Sequence, residues 1–383
     1  MKQLYSPSNL CKYVLFFCLS TVLLSCKQDH QPEKVEVEPT LKEAYKNYFL
    51  IGSAVNDNQI SGKDSLGVQL IKEQFNTITP ENSMKWMYME PAQGEFNFET
   101  ADRYIDFSKK NNLVFIGHNL VWHSQLAPWV NQIKDNEELS NSLKNHVQTI
   151  ASRYKGKIHG WDVVNEALNE DGTLRNSLFL EKLGPEYLTN AFKWAQEADP
   201  NAELYYNDYN MTKPKKREGA ITMVKNLKEQ GARVDGIGMQ AHWSLEGPSL
   251  QEIEESIIAY SELGVKVMIT ELDVTALPNP WDLEGAEVSQ NFEGSEFMNP
   301  YTEQLPDSVS NQLAKRYRDI FALFKKHQDK ISRVTFWGVN DGQTWLNNWP
   351  IENRTNYPLL FDRQFKPKAA YHSVIQVAKD STL

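Results

Sequence analysis

Short apolar runs alternate along this chain with longer amphipathic stretches. The runs Phe49–Val55, Phe75–Thr79, Leu113–His118, Gly160–Asn165, Glu203–Asn207, Gly236–Gln240, Lys266–Thr270 and Arg333–Gly338 are strand-like in length and apolar content. Between them the spacing changes to that of helices. Leu139, Leu143, Val147, Ile150 and Tyr154 recur every three or four residues, as do Leu250, Ile253, Ile257, Ile258 and Leu263, with Ser249 a natural N-cap. Strands that alternate with helices pair in parallel through right-handed crossovers. Eight such runs in 383 residues predict an α/β fold, a closed (β/α)8 TIM barrel in a single catalytic domain, rather than an open sheet.

The barrel is expected over residues 41–380, more than the roughly 250 residues typical of the architecture, so the surplus must lie in loops. The largest is Ala276–Asp307, after the seventh run, with Trp281, Phe292, Phe297 and Tyr301 in it. Two outcomes stay open for it: a wall on the product side of a cleft, or packing on the barrel rim.

The first residues break the pattern. Lys2 and Lys12 precede an apolar run, Tyr13–Leu24, that is shorter than the roughly 20 residues a membrane span needs but suits the h-region of a signal peptide. It ends in Leu23-Leu24-Ser25-Cys26, which resembles a bacterial lipobox. Residues 1–26 are therefore expected to be a lipoprotein signal with Cys26 the lipidated residue, and 27–40, polar and proline-containing, a flexible tether. Export follows, with a lipid anchor in the outer membrane, on its periplasmic or outer face; plain secretion is the alternative. Cys11 and Cys18 leave with the signal, so the mature chain can form no intrachain disulfide and no zinc–cysteine site.

Composition adds little beyond exclusions. An apolar fraction of 40% and a charged fraction of 23% suit a globular protein with a real core. The net charge is −10, and losing Lys2 and Lys12 with the signal takes it to about −12. With no basic stripe, no nucleic-acid partner is expected. A monomer is the default.

The chemistry collects where the apolar runs stop, the working face of a (β/α)8 barrel. The second run leads into Glu81-Asn82-Ser83-Met84-Lys85-Trp86, the third into His118 through Trp122 and His123, and the fourth into Asn165-Glu166. The fifth leads into Asn207-Asp208, the sixth into Gln240-Ala241-His242, the seventh into Glu271-Leu272-Asp273, and the eighth into Trp337 and then Trp345. Any one of these has a structural explanation as a cap or a plug. Seven of the eight ends carrying an acid, amide, imidazole or indole point instead to a functional mouth. Glu166 and Glu271 each terminate a very apolar strand, where environment can drive two carboxyl pKa values apart. Retaining acetal hydrolysis uses that asymmetry: one carboxylic acid protonates the leaving oxygen, and one carboxylate attacks the anomeric carbon from about 5–5.5 Å away. Trp122, Trp337 and Trp345 offer flat apolar faces to a sugar ring. Asn82, Lys85, Asn165 and Gln240 offer hydrogen bonds to hydroxyls, and His242 is placed to keep Glu271 ionised.

At these motifs, in this order and over nearly all of 41–378, the chain resembles glycoside hydrolase family 10, the endo-β-1,4-xylanases. Arg354-Thr355-Asn356-Tyr357-Pro358-Leu359-Leu360-Phe361-Asp362 continues the match. The resemblance implies xylan and xylo-oligosaccharides as substrates, no cofactor and no metal, with Glu166 the acid/base and Glu271 the nucleophile. It implies that Lys85, His118, Trp122, Asn165, Gln240, His242, Trp337 and Trp345 shape the subsite at the cleaved bond. Glu81 and Asn82 would hold the next sugar toward the non-reducing end, and Asp273 would support from behind. The Ala276–Asp307 loop departs from the family by its length. Other readings are a β-1,4-glucanase with the same chemistry, a glycan-binding lipoprotein without turnover, and a metal-dependent hydrolase built on His118, His123 and His242.

Overall fold

The computed structural model describes residues 38–283 and 285–382. The signal segment, the lipidation of Cys26 and residues 27–37 of the tether lie outside the described residues. Among the described residues no helix is long and apolar enough to cross a membrane.

Eight strands form the frame: β1 (Leu50–Val55), β2 (Thr77–Pro80), β3 (Val114–Trp122), β4 (Gly160–Asn165), β5 (Glu203–Asp208), β6 (Gly236–Met239), β7 (Lys266–Thr275) and β8 (Ile331–Phe336). Each pairs in parallel with its neighbours in chain order, and β8 pairs with β1 to close the barrel. Every expected strand is present. The largest differences lie at two C-terminal ends, where β3 runs on to Trp122 and β7 to Thr275, while β2 begins two residues later than expected and β8 is shifted two residues toward the N-terminus. In β7 the extension passes through Glu271 and Asp273, whose polarity breaks the apolar run, whereas in β3 only Asn119 interrupts it.

Apolar side chains on the outer faces of the strands pack under the helices as one continuous core. The helix Asn136–Arg153 buries Leu139, Leu143, Val147 and Ile150, the face that the sequence periodicity marks. Glu137 and Glu138 in its first turn and Arg153 in its last suit the helix dipole. Ser249 caps Leu250–Ser261 in a capping box with Glu252, which satisfies two backbone donors that the helix start leaves open. A separate cluster of Ile116, Tyr205 and Met268 comes from the alternate strands β3, β5 and β7, as an interior barrel layer does. Gly160 makes room for it: a Cβ there would run into the Tyr205 ring.

Near the C-terminal mouth the ladders lose register. One extra residue enters β3 between His118 and Val121, one enters β4 between Asp162 and Val164, and one enters β7 between Ile269 and Leu272. Such bulges re-aim side chains. Among its described residues the loop after β7 runs without a regular α-helix until Asp307, with a short 3-10 turn at Glu296–Met298.

Candidate active site

The strand ends converge on a cavity of about 240 Å³. Glu166 and Glu271 line it, and so do Glu81, Asn82, Lys85, His118, Trp122, Asn165, Gln240, His242, Trp337 and Trp345, so all twelve residues expected at the sugar meet there. Asp273 stands behind His242, outside the lining.

Glu166 directly follows β4, with φ at 57°, in the left-handed region where a residue with a Cβ is uncommon. Its N–H donates to the Asn207 carbonyl at 2.9 Å, and its own carbonyl accepts from Arg175 Nε at 3.0 Å. The carboxylate is held from two sides. Trp122 Nε1 donates to Oε2 at 2.8 Å, while Gln240 Nε2 at 2.8 Å and Asn165 Nδ2 at 3.1 Å donate to Oε1.

Glu271 projects from the β7 bulge. In a regular strand consecutive side chains face opposite ways, yet Thr270 Oγ1 donates to Asn207 Oδ1 at 2.6 Å and the next residue, Glu271, accepts from Asn207 Nδ2 at 2.8 Å. The extra residue in β7 brings both to one asparagine. Asn207 Nδ2 also donates to Asn165 Oδ1 at 2.9 Å, so both of its amide N–H groups are used and link the surroundings of the two glutamates. On its other oxygen Glu271 meets His242 Nε2 at 3.2 Å. His242 Nδ1 lies 3.0 Å from Asp273 Oδ2, which also accepts from Trp345 Nε1 at 2.8 Å.

These contacts separate the two carboxyls. Burial pushes the Glu166 carboxyl above its ordinary value; the charge of His123 and the Gln240 hydrogen bond oppose it without prevailing. Burial acts on Glu271 too, but the His242 hydrogen bond, the charges of His118 and His242, and the Asn207 hydrogen bond outweigh it and hold that carboxyl below its ordinary value. His242 is buried, which disfavours its cation, yet Asp273 and Glu271 raise its pKa to about 10. Glu271 is therefore ionised and His242 an imidazolium at neutral pH, while Glu166 is the one of the two carboxyls that burial favours keeping its proton.

The remaining walls are polar and aromatic. Lys85 Nζ donates to Asn82 Oδ1 at 2.8 Å and stands 4.9 Å from the centre of the Trp122 ring. Burial pushes Lys85 down and Glu81 up, each opposed by the other's charge. His118 Nδ1 lies 2.9 Å from Asp162, and its ring meets Trp337 edge-on at 5.4 Å. Trp345 stacks on Trp349 at 4.4 Å. Trp122 and Trp337 are 4% and 7% exposed, so little of either ring is open to solvent. The three histidines of the metal reading turn to different carboxylates: His118 to Asp162, His242 to Glu271 and Asp273, His123 to Glu287. Among the described residues no group of three His, Cys, Asp or Glu could hold a metal ion.

Residues 40–377 match the family described as glycosyl hydrolase family 10. The chain belongs to that family. It is 40% identical over 366 residues to endo-1,4-beta-xylanase A of Xylanibacter ruminicola, covering 94% of this chain and 98% of that one. It is 40% identical to the beta-1,4-xylanase of Dictyoglomus thermophilum, over 88% of this chain and 91% of that one. Among solved structures, a GH10 endoxylanase retrieved from a sugarcane soil metagenome superposes with a TM-score of 0.84 at 45% identity, covering 88% of this chain and 99% of that one. Xylanase XynB from Paenibacillus barcinonensis, complexed with a conduramine derivative, gives 0.80 at 38% identity, over 89% and 99%.

Sequence reasoning about this glycosyl hydrolase passes over several residues of the site. Asn207 is the most important: the sequence marks it as a polar strand end, like Asn165, but assigns it no role at the two glutamates. Gln125, Ala286, Val288 and Trp349 complete the lining. Ala286 and Val288 belong to the loop after β7, so that loop does build a wall of the cavity. Two of its aromatics do not: Trp281 is 95% exposed and Phe297 74%.

Proposed function

We propose that this family member is an endo-1,4-β-xylanase that works by retaining double displacement, with Glu271 as nucleophile and Glu166 as acid/base. The observation that carries the reading is the opposite displacement of the two carboxyl pKa values within one cavity. In the first step a Glu271 oxygen attacks the anomeric carbon as the glycosidic C–O bond breaks, and the Glu166 proton passes to the leaving oxygen. The product is a glycosyl ester on Glu271. In the second step water attacks the same carbon, Glu166 takes up its proton, and the ester C–O bond breaks to free Glu271. The Asn207 and His242 contacts orient the nucleophile in both steps. Asn165, beside Glu166, is the group best placed to bind the 2-hydroxyl next to the reacting carbon, a contact that strengthens in the transition state.

Internal cleavage needs an open cleft, and the cavity has neighbours on two sides. One of about 340 Å³, lined by Asp57, Asn58, Tyr88 and Asn97, shares Asn82 with it. Another of about 380 Å³, lined by Tyr209 and Lys213, shares His242, Ala286 and Trp349. Xylan is the substrate favoured by the relatives' names and by Trp345 beside the site.

The test compares wild type and Glu271→Ala on unbranched xylan and on an activated aryl xylobioside, with and without azide. Wild type is expected to release short xylo-oligomers. The variant is expected to lose on the order of 10⁶-fold, as other nucleophile deletions do, and to form with azide a glycosyl azide of inverted configuration. Full activity in Glu271→Ala would end the two-glutamate reading; cleavage of glucan but not xylan would end the substrate assignment alone.

The lipobox-like Leu23–Cys26 supports export with a lipid anchor on Cys26 and a tether that holds the barrel off the membrane. Cys26→Ser is expected to move the protein from the membrane to the soluble fraction; unchanged fractionation would rule the anchor out.

A further inference from the structure

The long loop after β7 reaches the Glu166 turn through one side chain. Glu287 Oε2 lies 2.7 Å from Nη1 of Arg175 and 3.5 Å from Nε2 of His123, while its Oε1 accepts from the Ser289 N–H at 3.2 Å. Arg175 uses its other donors on the site itself. Nε donates to the Glu166 carbonyl at 3.0 Å, and Nη2 donates to the Leu168 carbonyl at 3.3 Å and to the Tyr209 hydroxyl at 2.5 Å. His123 directly follows Trp122, whose indole N–H holds the Glu166 carboxylate. Glu287 therefore touches both the residue that holds the backbone of Glu166 and the neighbour of the residue that holds its side chain. The Arg175 and Glu287 side chains are only 16% and 17% exposed, so solvent screens the pair less than an open surface bridge. On either side of Glu287, Ala286 and Val288 face the catalytic cavity, and Gly285 packs against the Tyr209 ring.

We propose that Glu287 is a positioning residue for proton donation: it fastens the loop onto the turn after β4 and, through Arg175, fixes where the Glu166 carboxyl meets the leaving oxygen. The proposal rests on the reading of Glu166 as acid/base. A glutamate at φ 57° occupies the left-handed region, where a residue with a Cβ persists only if its surroundings over-determine it. The guanidinium supplies that determination, since one rigid fork binds the carbonyls of Glu166 and Leu168 and the loop carboxylate together. Without Glu287 the fork keeps its charge but loses its carboxylate partner, the contact that ties it to the loop. An error of about 1 Å in the carboxyl's position is enough to cost on the order of 100-fold in rate.

Leaving-group dependence separates this role from simple support of the cavity wall. A 2,4-dinitrophenolate departs without a proton, whereas a phenolate needs one. The experiment measures kcat/KM, which reports formation of the glycosyl enzyme, for 2,4-dinitrophenyl and phenyl β-xylobiosides. Wild type, Glu287→Ala and Glu287→Gln are compared, the last keeping the side-chain shape so that a folding defect in the first cannot decide the result. Glu287→Ala is expected to lose about 10- to 100-fold on the phenyl substrate and to stay near wild type on the dinitrophenyl substrate, with Glu287→Gln between. Equal losses on both substrates, or no loss on either, would overturn the proposal. Glu166→Ala is the control: if it too loses both substrates equally, the acid/base reading itself fails. If Glu166→Ala is selective and the Glu287 variants are not, only the positioning role is lost.

Discussion

Nε2 of His242 lies 3.2 Å from Oε2 of Glu271, while its Nδ1 lies 3.0 Å from Asp273, so one imidazolium is shared by two carboxylates. Glu271 is held below its ordinary pKa in a place where burial alone would raise it, and the His242 hydrogen bond is the largest opposing influence. His242→Asn removes that charge. The acid limb of kcat/KM, which follows ionisation of Glu271, is expected to move to higher pH in the variant. An unmoved acid limb would show that His242 does not set the state of the nucleophile.

The same histidine links pH to stability. Its pKa rises on folding from an ordinary 6.5 to about 10. The folded state therefore binds the proton more tightly, and the resulting stability is fully present below about 6.5 and lost as pH rises through about 10. Chemical denaturation at several pH values should show wild type more stable than His242→Asn at pH 6, with the gap closing toward pH 10. A gap that widens with pH would contradict the sign.

Glu166 has the opposite bias, and Trp122 is one of the donors that limits it. The indole hydrogen bond at 2.8 Å favours the ionised carboxylate, so Trp122→Phe, which keeps most of the apolar bulk, should raise the Glu166 pKa further. A hydrogen bond to a charged group is worth about 1.5–3 kcal/mol, and part of it persists in the neutral acid. The alkaline limb of kcat/KM is then expected to move to higher pH. The maximum should fall, because the carboxyl loses one of its fixed contacts. A downward shift of that limb would mean that Trp122 acts on Glu166 through something other than its N–H.

What the sequence makes legible here follows from locality. The alternation of apolar runs and helical spacing reports burial residue by residue, so the eight strands and the barrel can be read directly. A polar or aromatic residue placed where an apolar run stops marks the mouth, and the resemblance to the family picks from those residues the twelve that meet at the cavity. The aim of a side chain is less accessible. The bulge that turns Thr270 and Glu271 together onto Asn207 leaves no mark in the pattern, because it arises from the pairing of β7 with β8. Contacts of long range are hidden for the same reason: Glu287 and Arg175 are 112 residues apart and only the closed barrel makes them neighbours. In the loop the aromatic residues stand out from the sequence, while the residues that face the cavity are the small Ala286 and Val288.

Trp345 bears on the choice between xylan and glucan. Its indole N–H is tied to Asp273 and its ring is stacked on Trp349, so it cannot swing away cheaply to admit the hydroxymethyl group that distinguishes a glucose unit. Trp345→Ala opens that space and also removes an apolar face from the sugar. Activity on xylo-oligosaccharides is expected to fall, and the ratio of kcat/KM for xylo- over cello-oligosaccharides to fall with it, by about 10-fold or more, the scale of a small-group discrimination. A ratio that stays constant while both activities drop would show that Trp345 binds sugar without selecting it.

Beneath the two glutamates, Gly238 on β6 leaves the space that the Asn207 bridge occupies. A Cβ built there would overlap Asn207 Oδ1 and stand 2.7 Å from Cγ2 of Thr270, closer than real Cβ contacts come. Both neighbours are buried and hydrogen-bonded to each other, so neither can yield without breaking the contacts that reach Asn165 and Glu271. Gly238→Ala is expected to destabilise the fold by about 1–3 kcal/mol, the cost of overpacking a tight interior. That is too little to unfold a domain of ordinary stability, so the variant should be purified folded and its kinetics read. Its kcat on xylan should fall by more than the change in folded fraction explains, because the displaced amide no longer holds the nucleophile. If stability drops as expected but kcat per folded molecule stays at the wild-type value, the asparagine bridge is a packing feature and Glu271 takes its orientation from His242 alone.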